Sequence, residues 1–244
     1  MDLSIIITAY NYAKYIVECV ESCLSQNDSF LEYEVIVVDD GSSDETPQIL
    51  NNLNSPRLRK FRIKNAGIEG ASNFGFRNAR GNYVVRVDAD DSILPNYLHH
   101  MQSHMTNEFG FLYSDYAVIN ADSEVIDKMI LPEFDATEIR QRGDFLATGT
   151  LYEAKMLMDF SYYTEEIRNS GLENYELILR MLEAGISGKH IPNQLFCYRR
   201  HSLNISVSKS DQIIRNGDAL FSRMGLGTYQ ANEYHPYSPK RATQ

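Results

Sequence analysis

Apolar residues recur along this chain in two rhythms. Leu3 to Ala9 (Leu-Ser-Ile-Ile-Ile-Thr-Ala) is a short, nearly unbroken apolar run, which fits a strand covered on both faces. After a loop over Tyr10 to Ala13, the stretch Lys14 to Gln26 places Tyr15, Ile16, Cys19, Val20, Cys23 and Leu24 at helical spacing. The same alternation then repeats. Glu34 to Val38 reads as a buried strand, and Glu45 to Leu53 as a helix behind the turn residues Asp39 to Asp44. Leu58 to Lys64 alternates apolar and basic residues, as an edge strand does. A glycine-rich loop, Asn65 to Gly70, leads to a helix over Ala71 to Ala79. Tyr83 to Val87 is a further strand, and a helix starts near Pro95.

Four strand–helix units in a row predict an α/β fold with a mostly parallel, Rossmann-like central sheet and helices on both faces. Beyond residue 95 the rhythm loosens. Phe111 to Ile119 is strand-like, and Thr148 to Thr150 is a turn. Glu173 to Gly185 is a helix with apolar Leu177, Ile178, Met181 and Leu182, and with Gly185 at its C-terminal end. Leu195 to Arg199 is a last short strand, and helical periodicity returns only around Ile213 to Met224. We therefore divide the chain into one domain over 1–206, with halves at about 1–95 and 96–206, and a helical or irregular tail over 207–244.

Composition narrows the possible partners. A net charge of −10 argues against nucleic acid, whose binders depend on Lys and Arg at phosphates. Cys19, Cys23 and Cys197 are too few and too scattered for a disulfide framework or a four-ligand zinc site, so they read as small buried hydrophobes in a reducing compartment. No run approaches the ~20 apolar residues of a membrane span. The N-terminus lacks the basic start and cleavage site of a signal peptide, so Met1 to Ala9 reads as structure.

Polar clusters follow three of the predicted strands, after Ala9, Val38 and Val87, and open α/β sheets bind ligands at that edge. Extended backbone after Val87 would point Asp88 and Asp90 the same way. Two such carboxylates attract a hard divalent cation, Mg²⁺ or Mn²⁺, which keeps open positions for phosphate oxygens. A strand-end turn capped by aspartates is the plainer meaning of the same residues. Asp39 and Asp40 can accept hydrogen bonds from a nucleobase or ribose, or simply cap the next helix. The basic run Arg57 to Lys64 reads as the guard of an edge strand.

Taken in order, Thr8-Ala9-Tyr10-Asn11, Val37-Val38-Asp39-Asp40-Gly41-Ser42, Asn65-Ala66-Gly67, Gly70-Ala71-Ser72-Asn73 and Asp88-Ala89-Asp90-Asp91 resemble the nucleotide-binding half of the family 2 glycosyltransferases, which have the GT-A fold. Gly171 to Leu182 and Cys197 to Ser206 resemble, more thinly, the Glu-Asp helix start and the Tyr-Arg-x-His segment of that family. The resemblance implies a sugar transfer with inversion from a nucleotide-diphosphate sugar, UDP in most members, assisted by Mn²⁺ or Mg²⁺. Thr8, Ala9, Tyr10 and Asn11 would lie at the base, with Asp39 binding it and Asp40, Asn65 and Gly67 beside it. Asn73 and Arg77 would approach the nucleotide, Arg77 towards phosphate. Asp88 and Ala89 would reach ribose or metal, and Asp90 and His201 would ligate the metal. A packing role remains the simpler reading of a single histidine. The implied partners are the nucleotide-sugar donor and a saccharide or lipid-linked acceptor, as in surface polysaccharide synthesis, in the cytoplasm or peripherally at the inner face of the membrane.

One position departs from the family. The general base is usually the Asp after the Glu of the second motif, and here that position is Asn174. An amide cannot take a proton from a hydroxyl. Glu173 is the preferred base, since a helix N-terminus favours a carboxylate. Glu176 or Asp144 could replace it, or the chain could bind donor with little transfer, as a subunit of a larger assembly. A sugar nucleotidyltransferase is a further alternative, disfavoured because Thr8 to Tyr12 lacks the glycine-rich loop of that class. The tyrosines of Tyr229 to Tyr237 could cover the acceptor side or belong to a loose terminus.

Overall fold

A computed structural model describes residues 1–26, 31–142, 146 and 149–230. The chain order is β1 (Leu3–Ala9), α1 (Ile16–Leu24), β2 (Tyr33–Asp39), α2 (Thr46–Asn52), β3 (Leu58–Arg62), α3 (Gly67–Asn78), β4 (Tyr83–Asp88), β5 (Ser92–Ile93) and α4 (Tyr97–Gln102). It continues with β6 (Phe111–Ile119), β7 (Val125–Met129), α5 (Ala136–Arg142), β8 (Leu151–Glu153), α6 (Ala154–Asp159), α7 (Glu173–Glu183), β9 (Gly188–Arg199), α8 (Ile205–Ser208) and α9 (Ser210–Met224).

All the strands belong to one mixed sheet, in the order β3-β2-β1-β4-β8-β6-β9-β5, with β7 paired to β6. The first four strands are mutually parallel. β8 turns the direction, running antiparallel to both β4 and β6. β9 then runs parallel to β6. Apolar side chains at Leu3, Ile5, Ile6 and Ile7 are wholly buried, so β1 is covered on both faces, as its unbroken pattern requires. Burial of such a side chain is worth about 1.5–3 kcal/mol. β3 alternates between half-buried and exposed positions at the sheet edge. Helix α3 lies close on β1: a Cβ at Gly75 would sit 2.3 Å from Ile6 Cγ2, so only glycine fits there.

The strands and helices expected in the first 95 residues are all present. One boundary differs. α3 starts at Gly67, inside the stretch read as a glycine-rich loop. Gly67 takes φ +82°, and its N–H donates to the Asp40 carboxylate at 2.9 Å, which opens the helix four residues early. In the second half β9 begins at Gly188 rather than Leu195. Its register against β6 slips around Asp115, where Pro192 and its neighbours bulge out of the ladder, and this interruption hid the first part of the strand. The short elements β5, β7, β8, α5 and α6 carried no clear periodicity. Gly185 does end α7, at φ +79° and with its N–H donating to the Leu182 carbonyl. Helix α9 joins the main core through Ile213, Leu220 and Phe221, with Tyr229 beside them. Thr148 and residues 231–237, including Tyr237, lie outside the described residues. All three cysteines are free and buried. Among the described residues no helix is long and apolar enough to cross a membrane.

Candidate active site

The carboxyl ends of β1, β2 and β4 open on a cleft of about 520 Å³, closed on the far side by the N-terminus of α7 and by residues 203–209. Thr8, Ala9, Tyr10, Asp40, Asn65, Asp88, Asp90, Glu173 and Asn174 all line it. Two walls can be distinguished.

In the strand-end wall, main-chain N–H groups hold Asp40 and Asp91 and one oxygen of Asp39. Asp39 Oδ1 accepts from the Ser42 N–H at 2.9 Å, and its Oδ2 lies 3.3 Å from Arg62 Nε. Asp40 accepts from the N–H groups of Ala66 (2.6 Å) and Gly67 (2.9 Å). Burial nevertheless raises the Asp40 carboxyl above its ordinary value, against those two donors. Asn11 has φ 61°, a region asparagine tolerates, and its Oδ1 accepts from the Ser43 N–H at 2.8 Å. Asn11 thereby ties the loop after β1 to the loop after β2. Asp91 Oδ1 accepts from the Arg199 N–H at 2.8 Å, and Arg199 Nε donates to the Asp90 carbonyl at 2.7 Å. Arg199 is wholly buried, stands over the Tyr15 ring and pairs with Glu18 at 2.7 Å. The acidic turn is therefore clamped by the end of β9.

The α7 wall is held by side chains. Arg86 on β4 donates from Nη1 to Glu173 Oε1 at 2.8 Å, and its Nε lies 3.3 Å from Asp88 Oδ1. Burial disfavours the Arg86 charge, but Asp88, Tyr163 and Glu173 outweigh it and hold the guanidinium protonated. Burial pushes Asp88 up to about 7, with Arg86 opposing and Asp90 and Glu173 adding to the rise. Asn174 is gripped at both ends of its amide. Its Oδ1 accepts from the hydroxyls of Tyr152 (2.7 Å) and Tyr163 (3.0 Å), and its Nδ2 donates to the Leu146 carbonyl (2.9 Å). Glu176 is paired with Arg180 on its own helix at 2.9 Å and does not line the cleft. Asp144 lies outside the described residues.

Asp90 and His201 meet beside the carboxyl end of β4. His201 Nε2 lies 3.0 Å from Asp90 Oδ2, and the Asn204 amide donates to the same oxygen at 3.2 Å. His201 also stacks on Tyr15 at 5.1 Å. Burial, and after it the nearby carboxylates with Asp90 foremost, push the Tyr12 phenol well up. One carboxylate and one imidazole form a sparse donor set. It fits a Mg²⁺ or Mn²⁺ ion whose other positions go to phosphate oxygens and water. Among the described residues no group of three or more His, Cys, Asp or Glu converges as a self-sufficient metal cage.

Besides Asn11, which ties two loops together, and His201, which meets Asp90, five further residues expected at the site do other work or stand back from the cleft lining. Asp39 sits behind it, paired with Arg62. Asn73 clips the 163–165 loop to α3, donating to the Tyr163 carbonyl at 2.9 Å and accepting from the Tyr163 N–H at 3.0 Å. Arg77 is half exposed, 3.8 Å from Glu165 and over the Tyr162 ring. Gly67 supports Asp40, and Ala89 is buried in the acidic turn. Sequence reasoning passed over Arg86, Tyr12, Asn204 and Lys209. For Arg86 a signal existed: a charged residue inside the apolar run Tyr83 to Val87, two residues before Asp88 and so on the same strand face.

The model of the family described as Glycosyl transferase family 2 matches residues 4–166, well over half of the chain. The chain belongs to glycosyltransferase family 2. This family 2 glycosyltransferase is 31% identical to the chondroitin synthase of Escherichia coli over 97% of its own length and 34% of that protein. It is 29% identical to the hyaluronan synthase of Pasteurella multocida, over 98% of its own length and 25% of that protein. It thus spans about a third or less of these two relatives. A relative of similar size is the UDP-Glc:alpha-D-GlcNAc-diphosphoundecaprenol beta-1,3-glucosyltransferase WfaP of Escherichia coli, 29% identical over 90% of this chain and 86% of that one. Among solved structures, S. aureus TarS 1-349 in complex with UDP-GlcNAc superposes with a TM-score of 0.68 at 21% identity, covering 92% of this chain and 66% of that one. The mannosyltransferase PcManGT from Pyrobaculum calidifontis, in complex with GDP-Man and Mn²⁺, also gives 0.68, at 14% identity, covering 95% and 66%. The fold is therefore GT-A, as the order of motifs led one to expect.

Proposed function

We propose that this domain transfers a sugar with inversion from a nucleotide-diphosphate sugar, of which a UDP-sugar is the first choice, to a hydroxyl of a saccharide or lipid-linked acceptor. The observation that carries the reading is the convergence, on one cleft, of Asp88 and Asp90 from the β4 end with Glu173 from the start of α7. The UDP-Glc-dependent glucosyltransferase WfaP and the TarS complex with UDP-GlcNAc support the donor class, and the similarity to chondroitin and hyaluronan synthases supports a role in polysaccharide synthesis.

In this reading Thr8, Tyr10 and Asn65 receive the nucleoside, with Asp40 shaping the base end. Asp90 and His201 would hold Mn²⁺ or Mg²⁺, and the ion would neutralise charge on the leaving diphosphate. Glu173 accepts the proton of the acceptor hydroxyl as that oxygen attacks the anomeric carbon, which amounts to a contribution of roughly 10²–10⁴ in rate. Glu173 is suited to this because Oε1 is held by Arg86 while Oε2 is buried and has no hydrogen-bond partner among the described residues. Asn174 does not take the proton. The domain is proposed to work in the cytoplasm, peripherally at the membrane when the acceptor is lipid-linked, with residues 1–95 as the donor half and 96–206 as the acceptor half.

A thermal-shift series with UDP, GDP, dTDP, UDP-Glc and UDP-GlcNAc, each with and without Mn²⁺, tests the donor. A ligand at 100 times its Kd adds about 2.7 kcal/mol of stability, which in a chain of this size is a rise of roughly 5–10 °C. The absence of a metal-dependent rise with every nucleotide sinks the reading. Asn174 also motivates a second one, a donor-binding subunit with little transfer. Donor binding that survives Glu173→Gln while sugar transfer or donor hydrolysis is lost counts against that alternative.

A further inference from the structure

We infer that Arg86 is a positioning residue of the transfer reaction, which aims Glu173 by holding one of its two carboxylate oxygens. The inference rests on the reading of Glu173 as the base. Arg86 projects from the fourth position of β4, inside a strand whose other side chains up to Val87 are buried. A guanidinium there is stable only if carboxylates meet it, and removal of a buried partner is costly. Two do: Glu173, across the cleft at 2.8 Å, and Asp88, on the same strand face at 3.3 Å.

The geometry divides Glu173 into a held oxygen and a working oxygen. Oε1 takes the Arg86 Nη1 hydrogen bond. Oε2 is buried, without a hydrogen-bond partner among the described residues, on a side chain that lines the cleft. A carboxylate anchored at one oxygen has lost most of its rotational freedom and presents the other in a fixed direction. That is the preorganisation a general base needs, since a displacement near 1 Å costs on the order of 10²-fold in rate. The Tyr163 ring lies 5.5 Å from the Arg86 guanidinium carbon, and the Tyr163 hydroxyl donates to Asn174. One tyrosine therefore packs against the cation that aims residue 173 and bonds the amide at residue 174. Arginine matters here for its fork. A lysine at 86 keeps the charge but cannot offer separate N–H groups to Glu173 and Asp88 in fixed directions.

The test is a double-mutant cycle on the full chain with Mn²⁺, following UDP release from UDP-Glc and UDP-GlcNAc. Arg86→Lys keeps the fold, checked by its melting temperature, and leaves KM for the donor within about threefold, while kcat falls by roughly 30- to 100-fold. Glu173→Gln lowers kcat by about 10³-fold. In the double variant the losses do not multiply, because Arg86 acts through Glu173, and kcat stays within about threefold of Glu173→Gln alone. Multiplied losses, or a fall confined to KM, overturn the positioning role and leave the base assignment standing. Unchanged turnover in Glu173→Gln overturns the base assignment itself, and the positioning role with it. If Arg86→Lys unfolds, Arg86→Gln is carried through the same cycle with the same criteria.

Discussion

At the strand ends Asp40 and Asp91 are held by main-chain groups, whereas Glu173 and Asn174 in the α7 wall are held by side chains far apart in sequence. Asp40 is fixed by two N–H groups at the start of α3, and Asp91 by the N–H of Arg199. Glu173 is fixed by Arg86, 87 residues away, and Asn174 by Tyr152 and Tyr163. A main-chain donor does not change with the side chain that carries it, so the first wall depends mainly on backbone shape. The second wall depends on the identity of every residue in its network, and one altered member shifts the duty of its neighbours. The proposed hand-over of the base from position 174, an amide, to Glu173 would be such a shift.

Substitutions at each wall should behave differently. The largest effect is expected at the acidic turn. Asp90→Asn removes the one carboxylate that meets His201, and it should abolish the Mn²⁺-dependent thermal shift with UDP and cut sugar transfer by about 10³-fold or more. A preserved Mn²⁺ response would move the metal elsewhere. Next comes Asn174→Asp, which restores the residue usual in the family. It should lower turnover rather than raise it. One of its oxygens would face the Leu146 carbonyl in place of the amide N–H that now donates there, at a cost of about 1–3 kcal/mol in a denaturant titration. A rise in turnover would show that the α7 wall still accepts the family's base and that the contrast between the walls is overstated.

A smaller effect concerns pH. Asp88 titrates near 7 in the folded protein and near the usual carboxylate value when unfolded. Between those values the folded state holds the extra proton, so the contribution of Asp88 to stability is complete at low pH and is lost as pH rises through about 7. Melting temperatures of the ligand-free protein from pH 5 to 8 should therefore fall more steeply for the wild type than for Asp88→Asn. Equal slopes would remove Asp88 as the titrating group. The smallest effect is expected for Arg77→Ala. Its 3.8 Å exposed pair with Glu165 is worth under about 1 kcal/mol, and UDP affinity should change less than about twofold. A tenfold loss would return Arg77 to the phosphate site.

The same contrast explains what could be read from the sequence. Strands β1, β2 and β4 and the turns after them are local features. Each apolar run ends in its own polar cluster, so the parallel half of the sheet and the positions of Tyr10, Asp40, Asp88 and Asp90 at one edge followed from pattern alone, while Thr8 came from the family resemblance. The second half of the sheet relies on distant pairings. β8 reverses direction through three residues, and β9 carries a bulge at Pro192, so neither showed a clean period. At the site, residue types could be named but not their partners. Nothing in the spacing showed that Asn174 would be gripped by two phenols, or that Asn73 and Arg77 would attend to the 163–165 loop.

The span between Arg86 and Glu173 also has a meaning for the order of synthesis. Residue 86 leaves the ribosome long before residue 173 does, while the parallel strands β1 to β4 are already complete and able to pair. Until α7 arrives, the Arg86 guanidinium has Asp88 beside it but lacks Glu173. Protection from hydrogen exchange along β4 should come in two steps, first when β8 (Leu151–Glu153) pairs with it and then when the Glu173 carboxylate docks on Arg86. On this view one contact completes the cleft and meets the first requirement of the proposed chemistry.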